Sequence, residues 1–307
     1  MEKMKKFKGF FKSDSWKKTL TPFGIVSFLV LFLYTMSLFI PFGWAIISSF
    51  RSKLSFSEYF DGAFAWPDPW IIDNYKDVLK YFPITLTHVS PQRTIGLPEM
   101  IFNSFAYSLG SAFVAMATAL LVAYVVARFD FKFCGVIYFI IIIQMIIPIV
   151  GSLPSELRMA RLFGLYDHIW GMYIMRAYVS GMYFLIFYGA FKLIPKDYAE
   201  AAQIDGAGNL TIMLRIMIPF VKGSIFTIIL LAFIGNWNDY QVPLMYMPSH
   251  PTFAFGLFVF TDGSTHPEVS DTPHQLAGCI TMAVPLLVLF LIFQKRLLGD
   301  ITVGGLK

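Results

Sequence analysis

Charge is scarce in this chain. Of its 307 residues, only 14% are Asp, Glu, Lys or Arg, whereas 57% are hydrophobic and 18% are aromatic. A soluble domain averages about 25% charged residues, so a soluble fold would leave much of this apolar surface in water. The composition excludes a soluble protein and indicates an integral membrane protein.

Cysteine and clustered metal ligands are also scarce. Cys134 and Cys279 both lie in apolar runs, and two cysteines are too few for a disulfide framework. We interpret both as small buried hydrophobic side chains. The segment HPEVSDTPH at 266–274 superficially resembles a metal-ligand cluster. Its spacing fits no familiar zinc or calcium site, so a solvated loop or a partner contact is favoured, and no metal is expected.

Sequence motifs for catalysis and nucleotide binding are missing. No GxxxxGK[ST] phosphate loop occurs, and Gly206-Ala207-Gly208 lacks the third glycine and the preceding strand of a dinucleotide site. Neither HExxH nor GxSxG is present. We therefore expect no catalytic residues, no cofactor bound by this chain and no enzymatic activity. The net charge of +5 comes with a crowded basic N-terminus and does not indicate nucleic acid.

Long apolar runs are what the sequence has instead. About 20 apolar residues span a bilayer, and six runs approach or exceed that length. They are Thr19–Phe50, Met100–Ala127, Phe133–Ser155, Ala177–Phe191 extended outward past Arg176, Ile218–Tyr240, and Thr272–Gln294. Arg176 and Lys222 are expected to snorkel to the membrane interface. The predicted fold is all-α, a polytopic membrane protein with six transmembrane helices.

The distribution of basic residues predicts the orientation. Seven lysines lie in the first 18 residues, whereas the predicted outer loop 241–271 contains neither Lys nor Arg. Because cytoplasmic flanks are enriched in Lys and Arg, both termini are placed in the cytoplasm. This gives a basic N-terminus at 1–22, one transmembrane domain at 23–296 and a cytoplasmic tail at 297–307.

The predicted extracytoplasmic loop 51–99 is too long to lack structure. Tyr75, Val78, Leu79 and Phe82 follow helical spacing and predict a short surface helix. Two interpretations stay open at this point. The loop either lies on the membrane surface or forms a platform for an external partner.

One polar stretch, Pro195 to Pro219, interrupts the apolar runs. Pro195 suits the first turn of a helix, and acidic residues follow where the helix dipole favours them. Gly206 and Gly208 are expected to end that helix, and Asn209 to cap the next one. The pattern predicts a helix, a tight turn and a second helix, with a surface of small residues that another protein can approach closely.

Several motifs in this stretch and beyond resemble a known family. Glu200-Ala201-Ala202, Asp205-Gly206-Ala207 and Ile216-x-Ile218-Pro219 resemble the EAA signature of ABC importer permeases, with Ile218 where leucine is commoner. Further segments resemble the maltose-type carbohydrate permeases. They are AYVVARFDF at 123–131, QMIIP at 144–148, FKLIPKDYAEAAQIDGA at 191–207, GNWNDYQVPL at 235–244 and FQKRLLGDITVGGLK at 293–307. The resemblance covers the chain from Asn103 to its end.

The resemblance implies a permease subunit of an ATP-driven sugar importer in a bacterial cell membrane. Such a subunit would form half of a translocation pathway for an oligosaccharide and would work by alternating access. The implied partners are a second homologous permease in a heterodimer, two ABC ATPase subunits that use ATP and Mg, and an extracytoplasmic solute-binding protein. A coupling helix at 195–208 would receive the motion of the ATPase. The residues implied in this coupling are Pro195, Glu200, Ala201, Ala202, Asp205, Gly206 and Pro219. The tail Gly304–Lys307 would also reach toward the ATPase.

The nature of the solute stays open. Gln144, Asn236, Trp237 and Asn238 are the candidate translocation residues. Neutral polar groups among aromatic side chains suit an uncharged oligosaccharide, whereas three arginines would suit an acidic one. These are Arg158, Arg161 and Arg176.

Two rival functions belong to other classes. An ion-coupled secondary carrier or channel would act without an ATPase, but such carriers usually keep an ionisable residue at membrane depth, and the predicted spans have few. A membrane enzyme or scaffold is the second rival, and no catalytic motif supports it.

Overall fold

The computed structural model describes residues 21–57, 65–87, 91–147, 151–262 and 267–301, with the side chains of 289 and 292–301 excepted. These residues form two compact units. Unit 1 comprises the described residues up to Asn74 together with Asp271–Ala277, and unit 2 comprises Tyr75–Ser270 and the residues from Gly278 onward. Nearly all of the predicted basic N-terminus, and the tail segment Gly304–Lys307, lie outside the described residues.

The chain is mostly helical, as predicted. Its α-helices, in order, are α1 (Pro22–Ser49), α2 (Lys53–Ser57), α3 (Asp73–Tyr81), α4 (Leu97–Arg128), α5 (Lys132–Ile146), α6 (Leu153–Leu162), α7 (Ile169–Met175), α8 (Gly181–Lys192), α9 (Asp197–Ile204), α10 (Asn209–Ile212), α11 (Ile218–Phe220), α12 (Lys222–Asn238), α13 (Gln241–Tyr246), α14 (Phe253–Asp262) and α15 (Thr272–Ile301). A π-helical turn, Met213–Met217, joins α10 to α11, and a 3₁₀ turn covers Pro267–Val269.

A small β-hairpin departs from the all-α prediction. Strand β1 (Ile84–Leu86) pairs antiparallel with β2 (Arg93–Ile95), and Thr85 lies opposite Thr94. Three-residue strands are too short for an alternating apolar pattern to be recognised in a sequence. The same region contains α3, which confirms the predicted helix. Its side chain Val78 and the following Phe82 are buried, so this face of the helix packs on protein.

Unit 1 is built on α1. The helix begins at Pro22, behind Thr21, whose side-chain oxygen accepts a hydrogen bond from the Gly24 N–H at 3.2 Å. Most of its apolar side chains are exposed around its whole circumference, as a helix surrounded by lipid requires. At its far end, the buried Asn74 amide donates to the carbonyl oxygens of Ser49 and Arg51 at 2.7 and 2.8 Å. These bonds satisfy backbone groups that the helix end leaves unpaired.

Unit 2 is organised around α4. This helix packs against α7, α8, α12 and α14. Small side chains recur along its buried face and allow the neighbouring backbones to approach closely. They are Ser104, Ser108, Ser111, Ala112, Ala119, Ala123 and Ala127. A second set of buried aromatic residues on α8, Phe184, Phe187 and Phe191, extends the core on one side of α4.

By length and composition, α1 and α4 are able to cross a membrane, and they match the first two predicted spans. A third span results if the bent pair Asn209–Phe220 and Lys222–Asn238, which turns by 76°, is taken together. Shorter apolar helices are Lys132–Ile146, Phe253–Asp262 and Thr272–Val288. The count of six spans and the orientation of the termini therefore stay predictions.

Several predicted segments differ from the structure. The third predicted span, Phe133–Ser155, is interrupted, because α5 ends at Ile146 and α6 begins only at Leu153. The fourth span is not continuous past Arg176, because α7 ends at Met175 and α8 begins only at Gly181, after an extended Ser180. The predicted outer loop 241–271 contains α13 and α14, and α14 is largely buried. With ten residues, α14 is too short for a span-length criterion to detect.

Gly171 tests the close packing of α7. A Cβ at this position would overlap the backbone carbonyl of Leu165, which has little freedom to move away. We expect Gly171→Ala to destabilise the purified protein by about 1–3 kcal/mol, measured as a lower midpoint of thermal unfolding. Gly189→Ala is the matched control, since no atom lies within 4 Å of the added carbon. That control should gain roughly 0.5–1 kcal/mol. Equal midpoints for the two variants would contradict this packing.

Candidate coupling element and polar pocket

The polar stretch folds as a helix, a glycine turn and a second helix. Helix α9 ends in a Schellman motif, in which the Gly206 N–H donates to Gln203 O at 3.0 Å and the Ala207 N–H donates to Ala202 O at 2.9 Å. Gly206 has a φ of 81°, which side chains rarely tolerate. The predicted turn at Gly206 is confirmed. We call α9, this turn and α10 the coupling element.

The ends of the two helices differ slightly from expectation. Helix α9 begins at Asp197 behind Lys196, so Pro195 precedes the helix instead of lying in its first turn. Asp197 and Glu200 do lie in the first turn, where the dipole favours negative charge. Gly208, not Asn209, precedes the second helix, and Asn209 is its first residue. A residue with no side-chain acceptor serves at the cap position, where sequence reasoning favoured the asparagine.

Most side chains of the coupling element are exposed. Among the residues that the resemblance implicates, the exposed ones are Pro195, Glu200, Ala201, Asp205, Gly206 and Pro219, the last of which lies in α11. Ala202 is the exception, since it is 8% exposed and packs into the core. Large apolar side chains are also exposed. Leu193 is 80%, Ile204 87% and Leu210 66% exposed. Ile204 and Leu210 belong to the coupling element, and Leu193 lies just before α9.

Arg128 fixes the coupling element to α4. From the last residue of that helix, its Nη1 donates to Ile194 O at 3.0 Å and its Nη2 to Pro195 O at 3.3 Å. Nη2 also lies 3.2 Å from Met217 Sδ, in the π-helical turn. One guanidinium therefore holds both the entry to α9 and the exit from α10. Sequence reasoning noted the segment around Arg128 but gave this residue no role.

A second polar feature joins three helical regions of unit 2. Arg176 Nη2 lies 2.7 Å from Asp239 Oδ2 and donates to the Tyr107 hydroxyl at 3.0 Å. That hydroxyl donates to Asp239 Oδ2 at 3.2 Å, and Asp239 Oδ1 accepts from the Val242 N–H at 3.1 Å. The side chains of Arg176 and Asp239 are only 25% and 20% exposed. We call Tyr107, Arg176 and Asp239 the polar triad.

The triad corrects the expectation for Arg176. Its guanidinium does not reach outward alone but pairs with Asp239 and Tyr107, which lie 63 and 69 residues away in sequence. The sequence contains a signal for this pairing, because Asp239 is the acidic residue within the predicted span Ile218–Tyr240. An acid and a base on separate apolar segments are expected to pair in a membrane.

Two cavities meet at the triad. The smaller, about 270 Å³, is lined by Ser111, Tyr178, Ser180, Tyr183 and Asn236, among others, and by the triad residues Arg176 and Asp239. The larger, about 660 Å³, shares Arg176 and Tyr178 and is otherwise lined largely by apolar side chains, with Glu156 and Tyr246 at one side. Glu156 accepts a hydrogen bond from the Tyr246 hydroxyl at 3.2 Å.

The structure brings only one predicted translocation residue to these cavities. Asn236 lines the smaller cavity, with its Nδ2 3.5 Å from Ser108 O. Trp237 is fully buried and packs edge-on against Phe105 at 4.9 Å, so it belongs to the core. Asn238 is exposed and donates to Ile234 O at 2.9 Å, one turn earlier. Gln144 is exposed on α5 and lines neither cavity.

The described part of the chain contains no group of three or more metal-ligating side chains. Within the segment 266–274, the structure shows a local contact in place of a ligand cluster. Asp271 Oδ1 lies 2.8 Å from His274 Nδ1 and also accepts from the His274 backbone N–H at 3.3 Å, at the start of α15. Burial raises the pKa of Asp271, but these hydrogen bonds and the His274 charge outweigh it and lower the pKa below its ordinary value.

The triad makes a stability prediction. Asp239→Ala leaves the Arg176 charge largely enclosed and uncompensated, at a cost on the order of 3 kcal/mol. The double variant Arg176→Met with Asp239→Leu removes both charges and should recover most of that loss, since apolar replacements of a buried pair are often neutral. Thermal unfolding of the purified protein measures both. A double variant as unstable as Asp239→Ala would show that uncompensated charge is not the cause.

Comparison with known proteins agrees with this architecture. The chain is 25% identical over 288 residues to the diacetylchitobiose uptake system permease protein NgcG of Streptomyces coelicolor, covering 93% of this chain and 89% of that protein. It is 29% identical over 290 residues to the maltodextrin transport system permease protein MdxG of Bacillus subtilis, covering 92% and 96%.

A solved structure shares the fold. It is a bacterial ABC transporter involved in the import of the acidic polysaccharide alginate, with a TM-score of 0.67 and 22% sequence identity, covering 92% of this chain and 97% of that one. Residues 115–302 match the family described as binding-protein-dependent transport system inner membrane component. The chain therefore belongs to the family of inner membrane components of binding-protein-dependent transport systems.

Proposed function

We propose that this chain is one permease subunit of an ATP-driven importer of sugar, in particular of an oligosaccharide. Family membership supports the transport role, and relatives named for diacetylchitobiose and maltodextrin support the solute class. The observation that carries the mechanism is the exposed coupling element, clamped to α4 by Arg128. The chain itself performs no chemistry, and partner ATPase subunits hydrolyse ATP with Mg.

The coupling element is proposed to dock on an ABC ATPase subunit. Ile204 and Leu210, together with Leu193 just before α9, offer exposed apolar surface to this partner. Ala201 keeps the exposed side of α9 small, and Glu200 adds a charge for polar pairing. Ala202 faces the other way and holds α9 against its own chain. In this proposal the partner contacts four residues of the element, Glu200, Ala201, Asp205 and Gly206. Ala202 instead passes the displacement of α9 to the core of unit 2.

Arg128 carries the motion onward. A push on α9 moves the carbonyl groups of Ile194 and Pro195, which Arg128 holds at 3.0 and 3.3 Å. The guanidinium belongs to α4, so the displacement passes to the helix on which unit 2 packs. Alternating access follows if the ATPases favour one arrangement of these helices when closed and another when open.

The assembly and topology complete the proposal. We place six spans in a bacterial cell membrane with both termini in the cytoplasm, the loop 51–99 and the segment 241–271 outside, and the tail 297–307 inside. A second homologous permease forms the other half of the pathway as a heterodimer, two ATPases bind below, and an extracytoplasmic solute-binding protein delivers the sugar. The alternative is an ion-coupled carrier without an ATPase, and it leaves the exposed coupling element without a partner to bind.

Arg128 provides the first test of coupling. We expect Arg128→Ala, in the complex assembled with its partners in proteoliposomes, to reduce sugar uptake at least about tenfold, because two charge-assisted hydrogen bonds to the coupling element are lost. ATP hydrolysis by the complex should become less responsive to the sugar-loaded binding protein. Lys132→Ala, which removes an exposed cation four residues away, is the control and should behave as the wild type. Full uptake and stimulation in Arg128→Ala would refute the proposed role.

Gly206 provides the second test. Gly206→Ala forces a side chain into the left-handed region at a cost of roughly 1–2 kcal/mol, although no atom lies within 4 Å of the added carbon. The turn should distort, and the affinity for the ATPase in a pull-down should fall by about tenfold. Gly208→Ala is the matched control, since its φ of −72° suits alanine and its surroundings are equally open. Equal ATPase binding by the two variants would argue against the turn as part of the docking surface.

A further inference from the structure

The smaller cavity at the polar triad has the features of a ligand site. It lies among α4, the break between α7 and α8, and α12, and Ala115, Ala232 and Gly235 leave room along its walls. A Cβ at Gly235 would meet no atom within 4 Å. The volume of about 270 Å³ equals that of roughly nine liquid waters. This space admits a ring-sized polar molecule and exceeds what a single ion needs.

One buried polar group without a partner lies in the lining of this cavity. The Ser111 side chain is fully buried, and its hydroxyl oxygen has no hydrogen-bond partner among the described residues. Both side-chain hydrogen bonds that the structure shows for Arg176 run from Nη2. Buried polar groups are nearly always satisfied. A hydroxylated ligand that displaces the lining enough to reach Ser111 would satisfy this oxygen. The partly exposed Arg176 guanidinium offers its other N–H groups to the same ligand.

The charge around the cavities disfavours an anion. Asp239 compensates Arg176 at 2.7 Å, and Glu156 adds a carboxylate to the larger cavity. Arg158 and Arg161, which an acidic sugar would need, line neither cavity, and the Arg161 guanidinium lies over the Tyr166 ring at 4.8 Å. A uronate entering here would face one uncompensated carboxylate and no uncompensated cation.

Two tyrosines complete the lining. Tyr178 belongs to both cavities and Tyr183 to the smaller one. Their rings supply apolar faces and their hydroxyls supply donors and acceptors, a combination suited to a molecule that is apolar on its ring faces and polar at its edges. The larger cavity beside these tyrosines has space for a second ring of the same ligand.

We propose that this cavity binds one ring of a neutral oligosaccharide during its passage, with Ser111, Arg176, Tyr178, Tyr183 and Asn236 as the contacting residues. The inference rests on the proposed function and names its solute class. The triad serves as a neutral hydrogen-bonding unit in this site. The solute class thereby differs from the acidic polysaccharide named for the structural neighbour.

The test uses the complete importer in proteoliposomes, supplied with ATP and its binding protein. The probes are neutral trisaccharides of glucose, N-acetylglucosamine and arabinose, and a mannuronate trisaccharide. We expect the wild type to import a neutral probe. Gly235→Leu should raise the KM for that probe at least about tenfold by filling the cavity, and Ser111→Ala should raise it about 3- to 10-fold by removing one hydrogen bond. ATPase stimulation by the loaded binding protein should persist in both.

Gly189→Leu is the matched control, because it adds the same side chain at an equally open helical glycine outside the cavities. Its KM should equal that of the wild type. Unchanged KM values in both Gly235→Leu and Ser111→Ala would overturn the site. Import of the mannuronate probe in preference to every neutral one would overturn the solute class. A wild-type complex that imports no probe despite ATP would instead refute the proposed function itself.

Discussion

The pairing of Arg176 with Asp239 and Tyr107 is the constraint on which much of unit 2 depends. Helix α7 ends at Met175, just before Arg176, and α12 ends at Asn238, just before Asp239. Both ends leave backbone groups without helical partners, and both carry a charge that is costly to enclose alone. The triad neutralises the two charges, caps the segment after α12 through the Val242 N–H, and ties both ends to α4.

Helix α4 links the two polar features of the molecule. Tyr107 and Arg128 are 21 residues apart on this one helix, which corresponds to about 32 Å at 1.5 Å per residue. One end of this distance meets the cavity at the triad, and the other end holds the coupling element. One helix, with a polar contact near each end, therefore connects the cavity at the triad to the coupling element.

The sequence predicted the features that are local and long. Helix α4, the turn at Gly206 and the helix over Tyr75–Phe82 all follow from spacing, capping or glycine within a short segment. Within the triad, the pairing of Arg176 with Asp239 has a sequence signal, but the position of Tyr107 has none. Tyr107 and Asp239 are 132 residues apart, and nothing in one sequence pairs them. The placement of Trp237 in the core and of Asn236 at the cavity depends on which side of α12 meets α4. An α12 that is apolar nearly all round gives no sequence signal for that choice.

The π-helical turn Met213–Met217, which directly follows the coupling element, has a geometric consequence. A π turn accommodates an extra residue within a helix, and one residue corresponds to about 100° of rotation around the axis. Moving that extra residue along the helix would rotate the side chains between its old and new positions while the chain length stayed the same. Met217, which contacts Arg128, lies at the end of this turn. A shift of this kind would therefore turn Met217 relative to the Arg128 guanidinium.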